Sequence, residues 1–261
     1  MKARRAASWI RDMTILEIFS CFRSTLAPMR CHQVPLLLAL VACKSMTEKE
    51  NSSSQPEGGG VDPASLGPFS TITNESTADI DVTVGPPRTV TVACSDGPTS
   101  RVSLGVSGAM LTVKTPSNAN PRCKVTIAIP SLTEIASNGT GTFAVHGNAA
   151  VAKVTADGTG AVSVEAIETD SLSVTSDGTG ALTFAGKATT ATFKLGGVGA
   201  LSAKNLVADT VTLTLDGAGS ASVNATKKAD VTLEGVGSAT VYGNPAEKLQ
   251  KKRGLGTITF K

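Results

Sequence analysis

Asp157-Gly158-Thr159-Gly160-Ala161-Val162-Ser163-Val164 is one of seven similar stretches in the C-terminal half of this chain. Each stretch contains a Gly-x-Gly motif, and successive motifs begin 18 to 20 residues apart. Self-similarity at one fixed period indicates a single structural unit that is stacked repeatedly. The repeated glycines are Gly139 and Gly141, Gly158 and Gly160, Gly178 and Gly180, Gly197 and Gly199, Gly217 and Gly219, Gly235 and Gly237, and Gly254 and Gly256.

Each repeat alternates like a half-buried β-strand, with apolar residues two and four positions after the second glycine and Thr, Ser or Ala beside them. The apolar residues are Phe143, Val145, Val162, Val164, Leu182, Phe184, Leu201, Ala203, Ala221, Val223, Ala239, Val241, Ile258 and Phe260. Four residues before the first glycine, the same parity gives Ile135, Val154, Val174, Phe193, Leu213 and Val231. A period near 19 is too short for a βαβ unit, which needs about 30 residues. The repeats, residues 135–261, therefore predict an all-β fold: a single-stranded parallel β-helix, or solenoid, with rungs of about 19 residues.

Residues 64–134 have period-two alternation without the glycine pair, and we expect about six strands between Phe69 and Ile135. Turn residues such as Gly85-Pro86-Pro87 separate them. A stack of similar rungs needs an atypical unit at its end to cover the exposed core. This segment is predicted to be a β-rich N-terminal cap with the first rungs of the same domain, residues 64–261.

The first 63 residues are interpreted as an export signal and a tether. The apolar run Val34–Ala42 precedes Cys43, and the ending Leu40-Val41-Ala42-Cys43 resembles a bacterial lipobox. The resemblance implies cleavage before Cys43 and attachment of diacylglycerol to its sulfur; the alternative is an uncleaved apolar stretch. Residues 1–43 are therefore a lipoprotein-type signal segment, in which Met29 is an alternative start. Residues 44–63 are polar and rich in Ser, Gly and Glu, which predicts a flexible linker.

The basic balance of the chain belongs to its leader. The formal net charge is +3, but residues 1–43 hold six Lys/Arg and two acids, and without them 18 Lys/Arg face 19 Asp/Glu. This charge gives no reason to expect a nucleic-acid partner. If the protein is exported, Cys94 and Cys123 are candidates for a disulfide, although the sequence leaves open whether they pair.

The Gly-x-Gly motif does not predict a phosphate-binding loop, because no third glycine and no helix follow it. Its parity places both glycines on the inward side, and we predict a tight bend where stacked backbones leave no room for an inward Cβ.

Candidate catalytic and metal-binding residues are sparse. Asp157 and Asp177, with Asp216 and Glu234, stand before the first glycine and would form a carboxylate column, so Asp157 and Asp177 are weak candidates for a hard cation. Gly196 interrupts the column and Asp-Gly is foremost a turn dipeptide, so we predict no metal and no cofactor. His146 is the lone histidine after the leader and is predicted to face solvent. No catalytic residue is assigned. The basic cluster of Lys248, Lys251, Lys252 and Arg253 is expected in a solvated loop near the exposed end of the stack.

Residues 67–261 resemble the family of putative auto-transporter adhesin head domains, the GIN domain of bacterial envelope lipoproteins. The resemblance rests on Gly67-Pro-Phe-Ser-Thr-Ile72, on the run from Lys124 to Ile135 that leads into Ala136-Ser-Asn-Gly-Thr-Gly141, and on Gly235–Pro245 followed by Gly254-Leu-Gly-Thr-Ile258. It implies a β-helix and an envelope location, and it supplies no catalytic residues.

Together these features predict a non-catalytic, adhesin-like binding module held at the membrane through a lipid anchor. We expect an exported outer-membrane lipoprotein, facing the periplasm or the surface, that presents its Thr/Ser faces to glycan or protein. One alternative is a structural or regulatory envelope component that binds another membrane protein. Another is a carbohydrate-active β-helix enzyme, which the near absence of exposed aromatic residues disfavours.

Overall fold

The computed structural model describes residues 66–95, 101–116 and 122–261, and the predicted signal segment, Cys43 and the predicted linker lie outside these ranges. The described residues contain no helix long and apolar enough to span a bilayer. Their strands are β1 Thr71–Glu75, β2 Asp79–Val84, β3 Thr89–Cys94, β4 Ser103–Ser107, β5 Met110–Lys114, β6 Cys123–Ile129, β7 Glu134–Ser137, β8 Phe143–Ala149, β9 Lys153–Ala156, β10 Thr159–Ser176, β11 Thr179–Leu195, β12 Val198–Leu215, β13 Ala218–Leu233, β14 Val236–Tyr242, β15 Glu247–Lys252 and β16 Leu255–Phe260.

The repeats form a parallel solenoid, as predicted. Strands β10 to β13 each begin at the middle residue of one Gly-x-Gly motif and end just before the next. Neighbouring strands pair in parallel with equivalent residues in register, so that Gly160 lies beside Gly180 and Gly180 beside Gly199. We name two faces of each rung. The post-glycine face is formed by the residues that follow a glycine pair, such as 181–184, and the pre-glycine face by those that precede the next pair, such as 190–195.

The alternation of apolar residues correctly predicted the core. The predicted inward side chains are buried in every repeat except the last, where Ile258 and Phe260 are half-buried. Phe184 and Phe193 face each other from opposite sides of a rung, with ring centroids 6.2 Å apart. Threonine, serine and small residues fill the alternate outward positions, so the interior is dry while both faces are hydroxyl-rich.

The N-terminal strands close one end of the stack in an order that the sequence does not reveal. Strands β1 and β2 lie between β5 and β6 on one side and β7 and β8 on the other. Within the described residues, β1 and β2 thus form the second rung, and β5 and β6, which follow later in the chain, form the first. The chain then continues with β7 and β8 on the other side of β1 and β2. Strands β3 and β4 pair antiparallel with β6 and β5, and they form the outermost layer at this end.

The glycine pairs permit close contact between rungs. A Cβ on Gly158 would lie 2.1 Å from the carbonyl oxygen of Gly139, and one on Gly160 would lie 2.1 Å from that of Gly141. The atoms in the way belong to the backbone of the preceding rung. Gly160, Gly180 and Gly199 are exposed rather than inward-facing. The prediction that stacked backbones leave no room for a Cβ at these glycines is confirmed. The predicted inward orientation is wrong for Gly160, Gly180 and Gly199, because these residues are exposed and the obstruction is the backbone of the preceding rung.

Candidate functional surfaces

Two flat hydroxyl-bearing surfaces follow from the register. On the post-glycine face, the column Ser163, Thr183, Ser202, Ser222, Thr240 and Thr259 runs through six successive rungs. On the pre-glycine face, Thr175, Lys194, Thr214 and Thr232 form one column and Ser173, Thr192, Thr212 and Asp230 form the next. Rungs stand about 4.8 Å apart, so these hydroxyls form regular arrays.

The acidic column does not converge on a metal site. Asp157 accepts a hydrogen bond from the Asp177 amide at 3.2 Å, which joins two turns. Glu234 pairs with the guanidinium of Arg253 at 3.1 Å. A Cβ on Gly196 would lie 2.3 Å from the Asp177 carboxylate, so a larger residue there would displace that side chain. Within the described ranges, no three acidic, histidine or cysteine side chains are grouped to hold a metal ion.

His146 lies among charged side chains on the outer surface. Its Nδ1 lies 2.9 Å from a carboxylate oxygen of Glu165, and its Nε2 lies 3.6 Å from Asp81. Asp81 also pairs with Lys124 at 2.8 Å, and this contact raises the pKa of the lysine. The four residues belong to neighbouring strands, so they tie rungs together at the surface.

Opposite charges also pair between adjacent rungs elsewhere. Asp209 contacts Lys227 at 2.8 Å, and donors from Lys227 and Thr226 lower the pKa of that carboxyl. Glu247 contacts Lys228 at 2.7 Å and raises the pKa of this lysine. These ion pairs were not predicted from the sequence, although opposite charges about one repeat apart are expected to lie beside each other on adjacent rungs.

The role of Asp79 was also not predicted from the sequence. Its carboxylate accepts hydrogen bonds from the Thr142 hydroxyl at 2.7 Å and from the Thr142 amide at 2.9 Å. These two donors lower the pKa of Asp79. The contact fastens the inserted β2 strand to the start of the regular repeats.

A disulfide joins Cys94 and Cys123, at the end of β3 and the start of β6. The two residues stand opposite each other in the antiparallel pair. The bond thus attaches the outermost strand to the first complete rung.

The glycine corner is too small for a phosphate group. The space lined by Gly178, Gly197 and Leu201 measures about 20 Å³, which is room for about one water molecule. The amides of this corner are also occupied, since Gly178 and Gly197 donate to carbonyl oxygens of the preceding rung.

Residues 68–245 match the family model described as putative auto-transporter adhesin, head GIN domain. The match covers more than half of the chain and includes the cap and the solenoid as far as β14. The chain belongs to this GIN-domain family. No curated protein shows significant sequence similarity to it.

Solved structures share the fold of this GIN domain. A putative adhesin of Bacteroides fragilis is 26% identical, with a TM-score of 0.71 over 75% of this chain and 94% of its own. A putative adhesin of Parabacteroides distasonis is 19% identical, with a TM-score of 0.58 over 75% and 94% of the two chains. A putative lipid binding protein of the same organism is 17% identical, with a TM-score of 0.55 over 77% and 95%. The family is thus one of adhesin-like proteins, which suggests a cell-surface or envelope location.

The C-terminal end of the stack carries most of the basic cluster in a strand, because Lys248, Lys251 and Lys252 lie in β15 and Arg253 follows it. The predicted solvent exposure is confirmed at this end, but the predicted loop is wrong. Strand β15 pairs with β13, which places Lys248, Gln250 and Lys252 in the columns of the buried residues Ala229, Val231 and Leu233. The ammonium of Lys248 lies 5.6 Å from the centre of the Phe260 ring. Long polar side chains thus cover the core at this end, where their aliphatic stems can lie over apolar residues.

Proposed function

We propose that this protein is a non-catalytic, lipid-anchored binding module of the bacterial envelope, and that it adheres to glycan or protein through the pre-glycine face. Cys43 would carry the anchor, residues 44–63 would space the domain from the membrane, and the solenoid would present the face. The proposal agrees with the adhesin description of the family.

The observation that carries the proposal is the double threonine array on β11 and β12. Thr190 stands beside Thr210 and Thr192 beside Thr212, while Thr214 continues the second rung beside Lys194. All five threonines are half-buried on the outer surface. Threonine is β-branched and therefore stiff, and each side chain offers a methyl group together with a hydroxyl donor and acceptor. Such a rigid array can contact an extended glycan or a flat protein surface over several rungs.

A binding screen with two matched variants tests this assignment. The chain from residue 44 onward is applied to arrays of glycans and host or envelope proteins, as wild type, as Thr192→Arg/Thr212→Arg, and as Ser202→Arg/Ser222→Arg. Both variants add two arginines at paired positions of neighbouring rungs, but on opposite faces. We expect the threonine variant to lose the bound ligands and the serine variant to keep them. Equal binding by all three proteins would contradict the proposal.

The anchor and the absence of catalysis need separate measurements. Fatty-acid labelling should be lost in Cys43→Ala, and retained label would contradict the lipoprotein assignment. Protease treatment of intact cells should remove the domain if it faces outward, whereas protection would favour the alternative of a periplasmic component that binds another membrane protein. Turnover of any polysaccharide that a single Asp or His substitution abolishes would support the enzyme alternative.

A further inference from the structure

We propose that the C-terminal end of the stack, formed by β15 and β16, is a docking edge for an extended acidic segment of another protein, which adds to it as one more rung. This inference goes beyond the adhesion proposed above, because it uses the end of the solenoid and not its outward faces. Three observations carry it: an open backbone edge, unmatched charge, and exposed apolar side chains.

The backbone at this end has unpaired hydrogen-bonding groups. Among the described strands, β16 pairs with β14 alone and β15 with β13 alone. Leu255 and Lys261 donate their amides to Gly235 and Val241, and Arg253 donates to Leu233. Alternate residues of a strand point their amides to opposite sides, so those of Ile258, Phe260 and Gln250 point away from the stack. An extended peptide supplies the complementary donors and acceptors.

The charges of this end call for carboxylates. Elsewhere adjacent rungs are joined by opposite charges, as in Glu234 with Arg253 and Asp209 with Lys227. Residues 247–261 carry five Lys/Arg and one Glu, a net charge of +4. Lys251 and Lys252 have no carboxylate partner in the described part of the chain. A strand added in register would complete the same pattern if it carried Asp or Glu opposite these lysines.

Apolar side chains are also exposed at this end of the stack. Leu255 is 75% exposed and Leu249 is 43% exposed, and Ile258 and Phe260 are only half-buried. A partner strand with two successive acidic residues opposite Lys251 and Lys252, flanked by apolar residues, would therefore contact both kinds of neighbour.

A second copy of this chain is a poor occupant. Strands β3 and β4 at the opposite end contain no charged residue, so a head-to-tail contact offers no carboxylates to the lysines. A tail-to-tail contact would place two ends of net charge +4 against each other. The acidic strand is the occupant that fits both the backbone and the charge.

Fluorescence polarisation with designed peptides tests the proposal on the full chain. The probe is a labelled octapeptide with two central glutamates flanked by valines, and its controls replace Glu by Lys or methylate alternate backbone nitrogens. We expect the acidic peptide to bind, the lysine peptide not to bind, and the methylated peptide to bind at least about tenfold more weakly, because hydrogen bonds to the edge are lost. Lys251→Glu/Lys252→Glu should also weaken binding by about tenfold or more.

A matched variant separates this edge from general charge effects. Lys187→Glu/Lys204→Glu makes the same charge change at exposed positions within the stack and should leave the affinity unchanged. Equal loss in both double variants, or equal binding of methylated and unmethylated acidic peptides, would overturn the proposal in favour of unspecific polyanion binding. Binding to phosphatidylglycerol vesicles that depends on Lys251 and Lys252, without peptide binding, would overturn it in favour of a membrane contact. Thr192→Arg/Thr212→Arg should bind the peptide normally, so the two proposals can fail separately.

Discussion

At the residue scale, a single added methyl group at a repeated glycine should disrupt the contact between rungs. A Cβ on Gly178 would lie 2.1 Å from the Gly158 carbonyl oxygen, and backbone atoms cannot move aside as a flexible side chain can. We expect Gly178→Ala to lower the free energy of unfolding by about 2 kcal/mol and Gly178→Val by more. Urea unfolding measures both values.

Gly105 in β4 provides the matched control for this prediction. A Cβ there would meet no atom within 4 Å, so Gly105→Ala should leave the stability unchanged or raise it slightly. If Gly178→Val unfolded at the same urea concentration as Gly105→Ala and wild type, the steric explanation of the repeat would be wrong.

The hydrogen bonds of Asp79 predict a pH-dependent contribution to stability. Its pKa is lowered in the folded protein from the ordinary value of 3.8, so the contribution is present above that pH and disappears as the pH falls through the lower folded value. Asp79→Ala should lower the free energy of unfolding at pH 7 by about 1 kcal/mol, a small value because the site is exposed. Chemical unfolding at neutral pH and below pH 3.8 measures this difference.

Asp170→Ala is the control for the Asp79 variant, because Asp170 is exposed and has no hydrogen bond or ion pair within the described residues. A difference between Asp79→Ala and wild type that persists in acid would contradict a role for the ionised carboxylate.

At the scale of elements, the disulfide should hold the end cap and leave the regular rungs unaffected. It closes a loop between residues 29 positions apart, which stabilises the folded protein by about 3.6 kcal/mol in the loop-entropy account. We expect Cys94→Ser/Cys123→Ser to accelerate amide hydrogen exchange in β3 and β6, with little change in β11 and β12. Alkylation before reduction, followed by mass measurement, should find Cys94 and Cys123 protected, and free thiols in the oxidised protein would contradict the pairing.

The sequence predicts which residues of the strands are buried, but not the order of the strands in the stack. Burial at Val162, Phe184 and Val223 was predictable because one parity repeats in every rung and a shift by one residue would expose the whole set. The insertion of β1 and β2 between later strands was not predictable, because alternation identifies strands and not their order in a stack. The same limit explains why a loop was predicted where Lys248, Lys251 and Lys252 lie in a strand. A basic, polar segment lacks the apolar alternation of a strand, yet it forms β15 by pairing with β13.

At the scale of the whole molecule, the contacts that stabilise the solenoid are separate from the surfaces proposed to bind partners. The glycine column and the apolar interior hold the rungs together, while the threonine array and the basic end face outward. The repeats therefore predicted the architecture in detail, but the candidate sites only in part. Surface pairs such as Asp79 with Thr142 and Asp81 with His146 join residues 63 and 65 positions apart, because the chain returns to β2 only after the first rung is complete.

Retention of whole cells under flow on a surface coated with the ligand found in the array screen tests the central claim most directly. Cells that produce the wild-type protein should be retained, whereas cells that produce Cys43→Ala or Thr192→Arg/Thr212→Arg should be washed off to the level of cells without the protein. Cells that produce Ser202→Arg/Ser222→Arg at the same level should be retained like the wild type. Equal retention of all these cells would contradict a surface adhesin that binds through its pre-glycine face.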